Sequence, residues 1–215
     1  LVVGCRLDLL DAPSMLVHPT GRGAYAALCR LLTVGRRRAP KGACHLRLAD
    51  VLTTLAGLRA SAGRPAAAAA ATADDAPEDT LLVTVLPPAR PHDLAPDEHA
   101  ALAEHLQALA AALAPDALSL ALTPQHDGED VARGRALAVL AAAAGGVPLV
   151  ATNDVLYHVR DRKPLQDVLT CIRHRCTIHE AGTRLWPNAE RRLLPPAEVR
   201  PLFARMGLAP AAAAA

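Results

Sequence analysis

The chain has 215 residues, a mass of 22.4 kDa and 52% hydrophobic residues, which is enough for one large domain or two small ones. No apolar run approaches the roughly 18 residues that a membrane span needs, so we expect no membrane partner. The first residues, LVVGCR, lack the features of a signal peptide and have the pattern of a β-strand whose beginning is missing. This pattern predicts a fragment of a longer protein. The five cysteines form no regular framework, which favours a reducing, cytoplasmic setting.

The formal net charge of +2 is unevenly distributed along the chain. Residues 1–64 carry ten Lys and Arg against three Asp and Glu, residues 65–150 carry three against twelve, and residues 151–215 carry ten against six. The densest basic cluster consists of Arg36, Arg37, Arg38 and Lys41. Lys and Arg supply the sequence-independent part of nucleic-acid affinity, so these four residues are candidates for DNA contacts. The alternative interpretation is a solvated loop that follows a helix.

The N-terminal third of the chain has the pattern of a hairpin followed by two helices. It predicts, in order, a strand at residues 1–7, a turn at 11–13, a strand at 14–17, and helices at 21–33 and 48–58. The spacing of the apolar residues in the first helix places Tyr25, Leu28, Leu31 and Leu32 on its buried face. Residues 60–79 combine Gly, Pro, an Ala run and acidic residues, which predicts a loop or flexible insertion.

Strands and helices alternate from residue 80 onward. The pattern predicts strands at 81–86, 118–122 and 147–152, and helices at 96–113 and 129–144. Such alternation with short links favours βαβ units and a parallel sheet. After Tyr157 only short helical pieces remain, at residues 165–172 and 197–206, so we place a domain boundary at residue 158.

Two local groups of residues have the chemistry of a site. Asp154 follows the last predicted strand, where ligands gather in parallel α/β proteins, although an Asp there can equally cap a turn. The second group lies within nine residues and contains Cys171, His174, Cys176 and His179. These are zinc-ligand types, but zinc pairs usually lie farther apart in sequence, which favours a buried Cys171 with incidental neighbours.

Three separated blocks of the sequence resemble one protein family. Residues 147–157, VPLVATNDVLY, are similar to the segment that closes the polymerase-and-histidinol-phosphatase (PHP) domain of bacterial C-family DNA polymerases. Residues 164–173, 188–191 and 196–199 resemble the opening of the polymerase region of that family. Residues 24–33 resemble a helix of its PHP domain. Details such as GCRLDLLDAPSMLVHPTGRGAY and NDVLYH resemble the error-prone, damage-inducible branch of the family rather than the replicative alpha subunit.

The resemblance implies a mixed α/β fold in two parts. Residues 1–158 correspond to an incomplete PHP-type domain, a distorted β/α barrel, with residues 60–79 as a flexible insertion. Residues 159–215 correspond to the short helical start of the polymerase region. The parent protein would then be a DNA-directed DNA polymerase that acts in damage-induced mutagenesis and translesion synthesis. This chain would be a non-catalytic scaffold module, with the palm lying beyond residue 215.

The resemblance also implies that the PHP metal site is degenerate. Family ligand positions fall on Arg6 in place of Glu, Ser14 in place of His, Leu156 in place of His and, in a loose alignment, Ala121 in place of Glu. Asp154 alone remains, and neither His126 nor His158 clearly matches a family ligand. A divalent cluster needs several converging ligands, so we expect Asp154 to be a vestigial position, with no metal ligand and no catalytic residue in this chain.

The same resemblance implies cofactors and partners for the parent protein. These are magnesium at the palm aspartates, a DNA primer-template, deoxynucleotides, mutagenesis accessory proteins and a sliding clamp. Three alternatives remain open from the residues: a PHP-type metal-dependent phosphoesterase or 3′–5′ proofreading nuclease, a part of a replicative polymerase III alpha subunit, and an unrelated α/β protein.

Overall fold

The computed structural model describes residues 2–62 and 79–206, and the predicted insertion at 60–79 lies almost wholly outside them. The chain forms two compact units. The first unit comprises Leu1–Ala121 and Ala136–Leu149, and the second comprises Leu122–Arg135 and Val150–Ala215. None of the described helices is both long and apolar enough to cross a membrane. The fold is mixed α/β, as the sequence predicts, with five strands and six α-helices among the described residues.

The predicted N-terminal hairpin is confirmed. Strand β1, Cys5–Leu7, pairs antiparallel with β2, Met15–Pro19, and Arg6 lies opposite Leu16. Alternate residues of β2 face the core, because side chains along a strand point to opposite faces of the sheet. Met15 and Val17 are accordingly buried.

The sheet is mixed: the parallel pairing predicted from residue 80 onward is confirmed for its third and fourth strands, whereas the N-terminal strands pair antiparallel. Strand β3, Leu81–Val85, pairs antiparallel with β2 and parallel with β4, Leu118–Leu122. In the described part of the connection between β2 and β3 the chain forms two helices, and it re-enters the sheet from the end at which it left. The last strand, β5, Leu149–Ala151, lies beside β4 and completes the order β1-β2-β3-β4-β5.

Helix α1, Arg22–Arg38, is one turn longer than predicted, and its buried face is displaced from the predicted one. Tyr25 is 49% exposed, so its predicted place in the core is wrong. The buried residues are instead Ala24, Ala27, Leu28, Leu31 and Gly35. Small residues on this face bring the helix close to its neighbours: a Cβ at Gly35 would lie 2.6 Å from the Cys44 sulfur.

The other helices of the first unit are α2, Leu48–Ala62, α3, Pro96–Ala112, and most of α4, Asp130–Ala143. Carboxylates from distant segments bind the exposed backbone N–H groups at two helix starts. Asp79 accepts from Gly23 N–H at the start of α1, and Asp11 accepts from Leu48 N–H at the start of α2. These donors have no partner within their own helices, so each carboxylate stabilises a helix and ties it to a remote loop.

The second unit contains α5, Lys163–His174, and α6, Pro196–Arg205. Its buried residues include Leu122, Tyr157, Ala181, Phe203 and Met206. Gly134 permits a close backbone approach, since a Cβ there would lie only 2.3 Å from the carbonyl oxygen of Met206. A side chain at residue 134 would therefore displace the end of α6.

Candidate functional site

Two positions at which the family resemblance places metal ligands lie together in the structure. Arg6 Nη2 donates to Ser14 Oγ at 3.2 Å, and Arg6 Nε donates to Asp8 Oδ1 at 2.8 Å. Ser14 Oγ also donates to Asp8 Oδ1, at 2.5 Å. The three side chains therefore form a closed hydrogen-bonded network on the surface of the first unit.

The electrostatics of this network oppose cation binding. The hydrogen bond from Ser14, followed by that from Arg6, holds the pKa of Asp8 below its ordinary value, because both bonds favour the charged carboxylate. The negative charge of Asp8 is already paired with the Arg6 guanidinium. A metal ion at this position would have to displace a guanidinium or bind beside it, at a cost in like-charge repulsion. Asp8 was not among the predicted candidates.

Asp154, the vestigial position, lies in the second unit and already has a cationic partner. The residue has a positive φ of 41°, and its carboxylate forms an ion pair with the Arg191 guanidinium. Arg191 Nε also donates to the Asp154 backbone carbonyl at 2.9 Å, and the guanidinium lies 3.8 Å from the centroid of the Trp186 ring. The partner of Asp154 is thus a side chain, whereas an Asp that caps a turn accepts from backbone N–H groups.

Neighbouring polar residues fasten the same loop segments together within the second unit. Asn153 Nδ2 donates to the carbonyl oxygens of Glu190 and Arg192, at 3.2 and 2.6 Å, and Asn188 Nδ2 donates to that of Gln125 at 2.8 Å. The hydroxyl oxygens of Thr123 and Thr152 lie 2.5 Å apart. The segment around residues 186–192 is therefore hydrogen-bonded to the turns that follow β4 and β5.

Sequence reasoning gave no role to Asn153, Trp186 or Arg191. The contact between Arg191 and Asp154 joins residues 37 positions apart, and no spacing rule links them. The one available signal was that residues 188–191 lie in a block that resembles the polymerase region. A resemblance shows which positions correspond between two sequences, but it does not show which side chains are in contact.

The other positions that the sequence analysis considered as metal ligands are Ala121, Leu156, His126 and His158. Ala121 is fully buried and has no polar side-chain atom, and Leu156 is exposed and aliphatic. His126 and His158 are also exposed. Among residues 2–62 and 79–206, no group of three or more His, Cys, Asp or Glu side chains is arranged to hold a metal ion.

The basic cluster, Arg36, Arg37, Arg38 and Lys41, lies at the C-terminal end of α1. The three arginines occupy the last helical turn and not a loop, which corrects the alternative interpretation, and Lys41 is exposed just beyond the helix. Arg38 Nη1 donates to both carboxylate oxygens of Asp50, at 2.9 and 2.8 Å. Arg36 and Arg37 are exposed and form no ion pair within the described part of the chain. Cations at a helix C-terminus also favour the helix itself, through its dipole.

The predicted cluster of cysteines and histidines lies at the end of α5. All five cysteines of the chain are free thiols. Cys171 is buried, and burial raises the pKa of its thiol, with a smaller contribution from nearby Cys176. His174 and His179 are exposed. The burial of Cys171 agrees with the interpretation that we favoured over a zinc site.

Known proteins match nearly the whole chain. An error-prone DNA polymerase of Brucella abortus biovar 1 (strain 9-941) is 45% identical over 205 residues, which is 94% of this chain. The chain therefore matches a segment of an error-prone DNA polymerase. Error-prone DNA polymerase 1 of Agrobacterium fabrum and the error-prone DNA polymerase of Caulobacter vibrioides are 44% and 38% identical, each over 95% of the chain. The chain spans 16% of the length of each of these error-prone DNA polymerases. No family model matches the sequence.

Proposed function

We propose that this chain is the degenerate PHP domain and the start of the polymerase region of an error-prone DNA polymerase. In this proposal residues 1–158 form the incomplete barrel-type domain, and residues 159–215 begin the polymerase region. The parent enzyme extends a DNA primer with deoxynucleotides in damage-induced mutagenesis and translesion synthesis, in the cytoplasm. Its catalytic magnesium ions, and its contacts with accessory proteins and a sliding clamp, belong to regions outside this chain.

The observation that carries the proposal is the 45% identity to a named error-prone DNA polymerase over 94% of the chain. Such identity over some 200 residues is accompanied by a shared fold and shared core positions. The three relatives described above are named as error-prone polymerases, which favours this branch over a replicative alpha subunit and over an unrelated α/β protein.

The geometry of the former metal positions supports a scaffold role over a nuclease role. Arg6 and Ser14 bind Asp8, and Arg191 pairs with Asp154, so the carboxylates nearest to the family ligand positions are already neutralised by guanidinium groups. A metal-dependent phosphoesterase needs a cation that polarises the phosphoryl oxygen or activates a water. A cation at either carboxylate would have to compete with, or lie beside, the guanidinium that is already paired there.

The basic cluster is the proposed DNA contact of this module. Arg36, Arg37 and Lys41 are exposed on one helix end and the loop after it, and each can neutralise a backbone phosphate. Arg38 contributes less in this proposal, because the Asp50 carboxylate occupies its guanidinium. Phosphate contacts of this kind are independent of sequence, as a polymerase that copies any template requires.

The test uses the polymerase that contains this chain. Primer extension with magnesium tests the parent activity, and primer-template affinity at several salt concentrations tests the DNA contact. The triple variant Arg36→Gln, Arg37→Gln and Lys41→Gln should lower the slope of log affinity against log salt by up to about 3, near one unit for each lost phosphate contact. Arg135→Gln is the matched control, since Arg135 is also exposed on a helix but lies in the acidic middle of the chain.

Each outcome bears on a different part of the proposal. An unchanged salt slope in the triple variant would show that the basic cluster is exposed to solvent and does not contact DNA. Absence of primer extension by the wild-type polymerase would overturn the parent activity. Manganese-dependent 3′ nuclease activity that Asp154→Asn abolishes would favour the phosphoesterase alternative.

A further inference from the structure

Helix α5 has an apolar face that no described element covers. Leu165, Val168, Leu169 and Ile172 recur at the spacing of a single helix face, and each is between 48% and 67% exposed. Ile178, in the loop after the helix, is 51% exposed. We call these five residues the α5 face. Solitary exposed aliphatic residues are ordinary, but a contiguous row of this kind marks an interaction surface.

The α5 face is shaped to accept another element. An open groove of about 530 Å³ runs between the helix and its exit loop, lined by Val168, Ile172 and Ile178 among others. The left-handed conformation of Arg175 turns the chain at the helix end and brings the loop alongside α5. A ridge of i, i+3, i+4 and i+7 side chains beside a groove is the surface onto which an apolar helix packs.

The size of the α5 face favours an occupant within the same polypeptide. Stable complexes between separate chains use roughly 20–30 residues on each side, whereas this face has five apolar residues. A segment joined covalently to the chain needs far less contact area, because its effective concentration is of millimolar order. The error-prone polymerases that match this chain supply such a segment, since the chain spans only 16% of their length.

We propose that the α5 face is an intramolecular docking surface for an apolar helix from the part of the polymerase that lies outside this chain. Arg173 and Arg175 are exposed at the end of α5, so the docking helix carries acidic residues next to its apolar ones. The assignment rests on the proposed function, because it requires that the longer polymerase exist. It makes α5 the attachment point between this module and the rest of the enzyme.

Hydroxyl-radical footprinting of the whole polymerase measures side-chain accessibility without any variant. Val139 is the internal reference, since it is an aliphatic residue on α4 with an exposure of 62%, similar to the 67% of Ile172. Coverage would lower the exposure of Ile172 to the 8% or less found in the core, which predicts a roughly eightfold lower labelling yield for Ile172 than for Val139, after correction for the intrinsic reactivities of the two side chains. Equal corrected labelling of Ile172 and Val139 would overturn the proposal.

A pair of variants tests whether docking at the α5 face stabilises the polymerase. Ile172→Asp should lower the melting temperature of the polymerase by several degrees, because it buries a charge at the docking surface. Val139→Asp is the matched control and should leave that melting temperature unchanged. A polymerase dimer that Ile172→Asp dissociates would instead identify a second copy as the occupant and would overturn the intramolecular assignment. Primer extension by the wild-type enzyme is measured in parallel, so failure of the parent activity is distinguishable from failure of docking.

Discussion

Arg191 binds Asp154 twice, through an ion pair with its carboxylate and through a hydrogen bond of 2.9 Å from Nε to its backbone carbonyl. Asp154 is the last surviving ligand position of the PHP site in the family resemblance. In the structure its carboxylate is paired with a side chain of the same unit, and the guanidinium of that side chain lies against the Trp186 ring. A guanidinium supplies positive charge and fixed donors without any exchangeable ion, which suits a structural role.

Replacing Arg191 by Lys should lower the free energy of unfolding by about 1–3 kcal/mol. Lysine keeps the positive charge, but it lacks the planar guanidinium that binds the Asp154 carboxylate and backbone carbonyl at the same time and stacks on the Trp186 ring. Urea unfolding followed by the fluorescence of Trp186, the single tryptophan of the chain, measures the change. Arg200→Lys is the matched control on exposed α6, and an equal effect of both variants would contradict the assigned role.

Asp50 should make the stability dependent on pH. Its carboxylate accepts from Arg47 N–H at 3.0 Å and also binds Arg38, and these contacts, in that order of strength, lower its pKa. A lowered folded-state pKa means that the stabilisation is present above the unfolded value of about 3.9 and is lost as the pH falls through the folded pKa. Wild type should therefore exceed Asp50→Asn in denaturant stability at pH 7, and the difference should shrink below about pH 4.

The control for this pH dependence is Asp161→Asn, because Asp161 is exposed and forms no ion pair within the described ranges. Its stability difference from wild type should be small at both pH values. A gap between wild type and Asp50→Asn that stays constant from pH 7 to pH 3 would show that the charge of Asp50 contributes nothing.

Arg59 should stabilise the end of α3 from a neighbouring helix. Its Nη1 and Nη2 donate to the carbonyl oxygens of Ala111 and Leu113, at 2.9 and 2.6 Å, and carbonyls at a helix end have no partner within the helix. Arg59→Met keeps most of the aliphatic stem and should cost about 1–2 kcal/mol in thermal or denaturant unfolding. Arg30→Met, at an exposed position of α1, should cost far less.

The purified polymerase should carry no stoichiometric zinc or manganese in this module. Three family ligand positions are occupied by Arg6, Ser14 and Leu156, and loss of metal partners typically reduces affinity at least about tenfold each. Elemental analysis by mass spectrometry measures the bound metal. Stoichiometric metal that is lost on Asp154→Asn would contradict this expectation.

The sequence by itself determined the elements and most of their buried faces. The apolar run at residues 81–86 predicted a strand, which the structure has at Leu81–Val85, and the helices appear within a few residues of their predicted bounds, apart from the longer α1. These features are local, because the period of the apolar residues follows from the geometry of a single strand or helix. The family resemblance was also visible in the sequence, because several motifs of the family occur in the same order along the chain.

Only the tertiary structure decided how the N-terminal hairpin joins the rest of the sheet and which charges meet. Periodicity carries no direction, so it could not reveal that β3 pairs with β2 in the opposite sense. Nor could it show that Arg38 binds Asp50, or that Arg191 forms an ion pair with Asp154. Those partners come from remote segments, and a contact between remote residues exists only after the packing of the core has set the distance between them.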